Sequence, residues 1–192
     1  ELHLVQDHVA TFVSADGRKA RLVVESRWSC RVTPGRDGRV GICPVPASGM
    51  PLDEAAMRFF ESAATSFEVR RAILDRSTGN RLSGCWLDSM VANSFDRSTS
   101  EAVGSYLHAW ANTDISSRIE GMEVPVHVIV GQHDAAINEA LARRTWLRFY
   151  PHASLEVMLN AGHYPMHETP VALATCTERF LRSSSGTSPH PR

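Results

Sequence analysis

The sequence predicts an α/β protein: a short parallel sheet with a helical segment inserted between its strands. Three observations predict it. Residues 126–131 and 155–159 are two short apolar runs, each closed by a Gly-containing turn. That is how a strand buried on both faces reads. Between them, Asn138 to Phe149 carries Ala140, Leu141, Trp146 and Leu147 in a helical stretch, which makes a strand–helix–strand crossover. Finally, everything from Leu52 to Asp114 is helical in pattern, while Arg39-Val40-Gly41-Ile42-Cys43 just before it reads as a strand.

Taken in order, Leu2-His3-Leu4-Val5 is a strand and Gln6-Asp7-His8 turns it. Val9 to Val13 either prolongs that strand or opens a helix, since so few residues carry no decisive period. Ser14-Ala15-Asp16-Gly17 suits a turn or helix start. Lys19 to Arg27 is expected to be a helix, with Ala20, Leu22, Val23 and Val24 on one side. Trp28 to Gly38, rich in Ser, Thr, Pro, Gly and Arg, is a loop. Pro44 and Pro46 stop the strand at 39–43.

Four helices follow. Pro51-Leu52-Asp53-Glu54 opens the first, with Pro and acids in its first turn. Phe67 to Leu74 carries the second and Trp86 to Val91 lies in the third. Ser98-Thr99-Ser100-Glu101 reads as a capping box for the fourth. After the crossover, Thr169 to Arg182 forms the last helix, with Leu173, Cys176, Phe180 and Leu181 at helical spacing. Residues 183–192 are polar and expected to be disordered.

The totals narrow the function. The 192 residues fit one domain, and a net charge of -1 gives no reason for a nucleic-acid or acidic-membrane partner. Four cysteines without a C-x-x-C pair argue against a zinc knot or a disulfide scaffold. No apolar run approaches the roughly 20 residues that span a bilayer, and no signal segment opens the chain. A cytoplasmic location is the expectation. The first residue is Glu, so a processed product or a fragment is expected.

Each of the two Gly-containing turns carries a side chain capable of proton chemistry: Asp134 in Gly131-Gln132-His133-Asp134, and His163 in Ala161-Gly162-His163. Chemistry in open α/β sheets sits beyond the carboxyl ends of the strands, where both residues fall. His127, His133, His163 and His167 raise a metal alternative. Pro165 between His163 and His167 disfavours a regular helix that would align them, so no metal and no cofactor are expected.

Val130-Gly131-Gln132-His133-Asp134 and Ala161-Gly162-His163-Tyr164-Pro165-Met166-His167-Glu168-Thr169-Pro170 resemble the C-terminal third of an α/β-hydrolase. The likeness runs more weakly upstream through Cys43-Pro44-Val45-Pro46, over most of residues 39–182. The resemblance implies an α/β-hydrolase fold lacking its N-terminal strands and carrying a helical cap. It divides the chain into a partial core (1–43), a cap (44–118), a C-terminal core (119–182) and a tail (183–192). It also implies a catalytic pair, with His163 as general base and acid and Asp134 fixing its tautomer. The substrate would be a small, largely apolar ester, amide or related compound, with Phe59, Phe60, Trp86, Tyr106 and Trp110 as pocket walls or core, and little or no turnover is expected of the chain as given.

The chain departs from the family at the nucleophile. No Gly-x-Ser-x-Gly elbow is present. If Lys19 onward is the helix after the elbow, Ser14 falls one residue before the nucleophile's place, and Ser14 as a helix cap is the plain alternative. Leu4-Val5-Gln6-Asp7-His8 resembles the elbow of haloalkane dehalogenases, although Val9 stands where that elbow has its second Gly; this makes a dehalogenase or epoxide hydrolase with Asp7 as nucleophile the rival reading. If residues 2–5 are the elbow strand, the resemblance also implies that the loop donating an oxyanion N–H is missing from this stretch, and residues 28–38 exceed the family's short connection. A non-catalytic fragment or binding module is the third reading. A sheet edge left open at residues 2–5 would favour self-association.

Overall fold

The computed structural model describes residues 8–13, 19–24 and 38–184. One sheet holds the strands in chain order: β1 (His8–Val13), β2 (Lys19–Val24), β3 (Arg39–Ile42), β4 (Val126–Gly131) and β5 (Ala153–Met158). β1 runs antiparallel to β2, and β2 through β5 are parallel. In β4 every residue is buried, and Val128, Ile129 and Val130 have no exposed surface. A run without polar alternation is what a strand covered on both faces requires. β4 is accordingly flanked by β3 and β5.

Lys19–Val24 corrects an expectation: it is a strand, not the start of a helix. Leu22-Val23-Val24 explains why. β-Branched side chains are stiff at χ1 and favour the pleated surface, and pairing of Leu22 with Val40 joins this segment to the sheet. A short apolar run fits either period, so tertiary pairing decides. Val9 to Val13, left open between strand and helix, is strand. The proposals for residues 2–5, Asp7, Ser14 to Gly17 and residues 28–37 lie outside the described residues. Among the described strands, β1 and β5 border the sheet.

Between β3 and β4 run α1 (Glu54–Ser62), α2 (Phe67–Ser77), α3 (Gly84–Arg97), α4 (Ser100–Asn112) and the short α5 (Ser116–Ile119). The first four begin at capping side chains. Asp53, Ser66, Ser83 and Thr99 accept the N–H of Ala56, Val69, Trp86 and Ala102, satisfying donors that have no partner inside the helix. Thr99 rather than Ser98 is the cap of α4. This one-residue shift moves Glu101 out of the place a capping box needs.

A buried arginine ties this insertion together. Arg70 of α2 donates through Nε to Ala63 O at 2.9 Å, through Nη2 to Ala64 O at 3.2 Å, and through Nη1 to Ser94 Oγ of α3 at 2.9 Å. Its guanidinium lies 3.7 Å from the centroid of Phe95. The carbonyls at the end of α1 thus find donors, and α1, α2 and α3 share one clamp. Phe60 and Trp110 meet edge to face across α1 and α4.

The crossover expected as one helix is two: α6 (Glu139–Arg144) and α7 (Trp146–Phe149). Thr145 separates them; its hydroxyl bonds back to Leu141 O at 2.7 Å, a contact that disturbs helical continuation. After β5 come α8 (Pro165–Glu168) and α9 (Pro170–Ser184). Pro165 starts a single turn at its first position, where a missing N–H does no harm. α9 passes Arg182 to include Ser183 and Ser184; residues 185–192 lie outside the described residues. The main core surrounds β3–β5, and a smaller one joins Leu74, Leu87 and Val91 with Trp86, Met90, Phe95 and Tyr164. No helix among the described residues is long and apolar enough to cross a membrane.

Candidate active site

Asp134 sits three residues past the end of β4, with its side chain fully buried. Its Oδ1 accepts the N–H of Ala136 and of Ile137, both at 2.9 Å. Its Oδ2 faces Nδ1 of His163 at 2.6 Å. Burial alone would raise this carboxyl. The hydrogen bond and charge of His163, with the N–H groups of Ile137 and Ala136, outweigh it and hold the acid below its ordinary range. An ionised carboxylate only accepts, so Nδ1 of His163 donates to it, and whenever the ring is neutral the lone pair is on Nε2.

His163 is placed by a loop whose backbone is held at every step. Asn160 turns the chain with φ 59, a left-handed conformation that asparagine tolerates. Ala161 O accepts His133 N at 2.9 Å, which ties this loop to the Asp134 turn. Gly162 allows close contact with the end of α2: a Cβ there would stand 2.6 Å from Ser77 O and from Thr78 Cα. His163 N donates to that same Ser77 O at 2.9 Å. The ring keeps 30% of its side-chain surface exposed and meets Tyr164 edge-on at 5.1 Å.

Glu168 completes the loop, and sequence reasoning gave it no role. Its carboxylate, 1% exposed, accepts Gly162 N at 2.9 Å and Tyr164 N at 3.1 Å, the amides on either side of His163. Arg81 approaches at 3.4 Å and also donates to Asn160 O at 3.3 Å. The signal available in the sequence was an acid five residues after the Gly162-His163 pair.

Cys43 is the other addition. It follows β3 with φ 44, is buried, and its thiol donates to Gly162 O at 3.7 Å. Its Sγ, an oxygen of Asp134 and a nitrogen of His163 lie within 4.8 Å of one another. Burial, followed by the charge of Asp134, pushes this thiol up to about 12. It stays protonated at neutral pH and is a poor nucleophile there. A metal at this place would have to break the Asp134–His163 bond. His127 and His167 are elsewhere: His127 is the second residue of β4, and His167 is exposed on α8.

Ser14 and Asp7 lie outside the described residues. Their described neighbours mark the two ends of β1. Val13 pairs with Lys19, where β2 begins, and His8 pairs with Val24, where β2 ends. β2 is parallel to β3, so Val24 faces the edge at which β4 and β5 deliver Asp134 and His163. The chain leaving Val24 reads Glu25-Ser26-Arg27-Trp28. Ser26 is the first hydroxyl after Val24 in the sequence, and residues 25–37 lie outside the described residues.

No protein-family model matches the sequence, and no curated protein does. Solved structures match well. A thermophilic esterase superposes with a TM-score of 0.61 at 19% identity, covering 77% of this chain and 56% of its own. An N-acyl homoserine lactone degrading enzyme gives 0.57 at 19%, covering 75% and 57%. An esterase from Exiguobacterium antarcticum gives 0.64 at 10%, covering 76% and 57%. The chain has the α/β-hydrolase fold, and it spans a little over half the length of these structures.

Proposed function

We propose that this chain supplies the acid–base machinery of a hydrolase for small, largely apolar esters. His163 acts as general base and then general acid, and Asp134 orients it and stabilises the imidazolium. The observation that carries this reading is the 2.6 Å contact between His163 Nδ1 and Asp134 Oδ2 at the ends of adjacent parallel strands. Two of the structural neighbours named above are esterases, and the third degrades a lactone, an internal ester.

In the reaction, Nε2 of His163 takes the proton of a hydroxyl nucleophile as it attacks the ester carbonyl. The same proton then passes to the leaving alkoxide. A water molecule repeats the sequence to release the acid. The nucleophile belongs at the edge where Asp134 and His163 meet, which is the end of β2 and not its start; this favours Ser26, the first hydroxyl after Val24 in the sequence, over Ser14, whose neighbour Val13 pairs with Lys19 at the start of β2. Asp7 remains the rival, because His8 after it pairs with Val24.

Mass spectrometry after treating the full chain with a fluorophosphonate tests the assignment. Label on one serine, lost in His163→Ala, is expected. Labelling that does not depend on His163 contradicts the proposal. An alkyl ester found on Asp7 after an alkyl halide moves the nucleophile there and keeps the pair.

A further inference from the structure

A second group of reactive side chains lies away from Asp134 and His163, in the first half of β4. His127 is 8% exposed and Cys176 of α9 is 2% exposed. His127 Nε2 lies 3.4 Å from Cys176 Sγ and 3.7 Å from Glu156 Oε2 of β5. One donor atom from each of the three falls within 4.8 Å of the others. A tetrahedral zinc with bonds of about 2.0 Å to nitrogen and oxygen and about 2.3 Å to sulfur separates its ligands by about 3.3–3.5 Å. The two distances from His127 are close to that.

The surroundings suit a metal as well. His127 Nδ1 lies 2.8 Å from Ser154 Oγ, on the paired residue of β5. Nδ1–H donating there leaves the Nε2 lone pair aimed at Cys176 and Glu156. A ligating histidine is commonly fixed in this way by a partner on its other nitrogen. The ring is stacked on Phe180 at 4.9 Å, which prevents it from turning away. Glu156 is itself held by Arg179, whose Nη2 reaches both carboxylate oxygens at 2.7 and 2.6 Å. When Oε2 turns to a cation, Oε1 keeps the arginine.

We propose that His127, Glu156 and Cys176 form a site for a thiophilic divalent cation of the zinc type, joining β4, β5 and α9. Thiolate and imidazole select zinc over magnesium or calcium. The thiolate and the carboxylate bring two negative charges and the imidazole none, against the two positive charges of the cation and the one of Arg179, which stays paired with Glu156. Cys176 gives one proton to solvent on binding, and its sulfur lone pair forms the new bond. Without the cation, burial first and then Glu156 push this thiol up to about 12, so the thiolate exists only with the metal bound. Glu156 keeps a third of its surface open, which leaves a way in and a fourth position for water. The site is independent of the hydrolase reading.

Titration of the full chain carrying Cys85→Ser with Co²⁺, followed by displacement with Zn²⁺, tests this. One equivalent of Co²⁺ with a thiolate charge-transfer band is expected. The band disappears in Cys176→Ser and persists in Cys43→Ser, and Ser154→Ala weakens binding about ten- to hundredfold. The proposal is overturned if no thiolate band forms at one equivalent, if the band survives Cys176→Ser, or if Cys43→Ser removes it. Should Cys176→Ser fail to fold, Glu156→Gln decides: a tenfold or greater loss of Co²⁺ affinity supports the site, and unchanged affinity overturns it.

Discussion

Gly131 and Gly162 approach so closely that a Cβ on Gly131 would stand 1.9 Å from the carbonyl oxygen of Gly162. The turn after β4 and the loop after β5 are in backbone contact, and this contact brings Asp134 to His163. Backbone cannot step aside as a flexible side chain can. Gly131→Ala is therefore expected to lower stability by at least about 1–3 kcal/mol and to separate the pair. A denaturant melt checks the first effect, and an ester assay checks the second.

Asp134→Asn separates the acid's two duties. The amide oxygen can still accept the N–H groups of Ala136 and Ile137, so the turn survives. The histidine loses its ionised partner, and where a triad operates this change lowers kcat about 10⁴-fold. The pH dependence of stability changes too. The folded carboxyl lies below its ordinary value, which is about 3.9 when unfolded. Its stabilisation is complete above that value and is lost as pH falls through the lower folded value. Asp134→Asn removes this dependence, so its Tm declines less steeply than that of the unaltered chain below about pH 4. Calorimetry across that range measures it.

Glu168→Ala leaves the N–H groups of Gly162 and Tyr164 without their acceptor. Each such loss in a buried place costs about 1–3 kcal/mol. Glu168→Gln keeps one oxygen and restores part of it. Because Glu168 acts on the loop and not on substrate, both variants are expected to lower kcat more than they raise KM. Thermal melts alongside steady-state kinetics separate the two effects.

Arg70→Lys tests the clamp in the helical insertion. A lysine keeps the charge but cannot reproduce the planar fork that reaches Ala63, Ala64 and Ser94 together. A loss of at least about 1.5–3 kcal/mol is expected, read by urea unfolding.

The parts of this fold that were legible in the sequence are those with local causes. Continuous apolar runs marked β4 and β5. Gly131 and Gly162 marked the turns that deliver Asp134 and His163, and Pro51-Leu52-Asp53-Glu54 marked the start of α1. The parts that were not legible depend on partners distant in the chain. Lys19–Val24 has an apolar run that fits either period, and only pairing with β1 and β3 makes it a strand. The bond from Thr145 to Leu141 splits the crossover helix, a choice that no apolar pattern announces. Glu168 and Cys43 reach the site through folds in the chain that their neighbours in sequence do not specify.

The hydrolysis of p-nitrophenyl butyrate by the full chain and by His163→Ala tests the central claim most directly. General acid–base catalysis by a positioned histidine contributes about 10²- to 10⁴-fold, so turnover in the unaltered chain is predicted to fall by at least a hundredfold in the variant. Turnover that persists unchanged in His163→Ala would contradict the account.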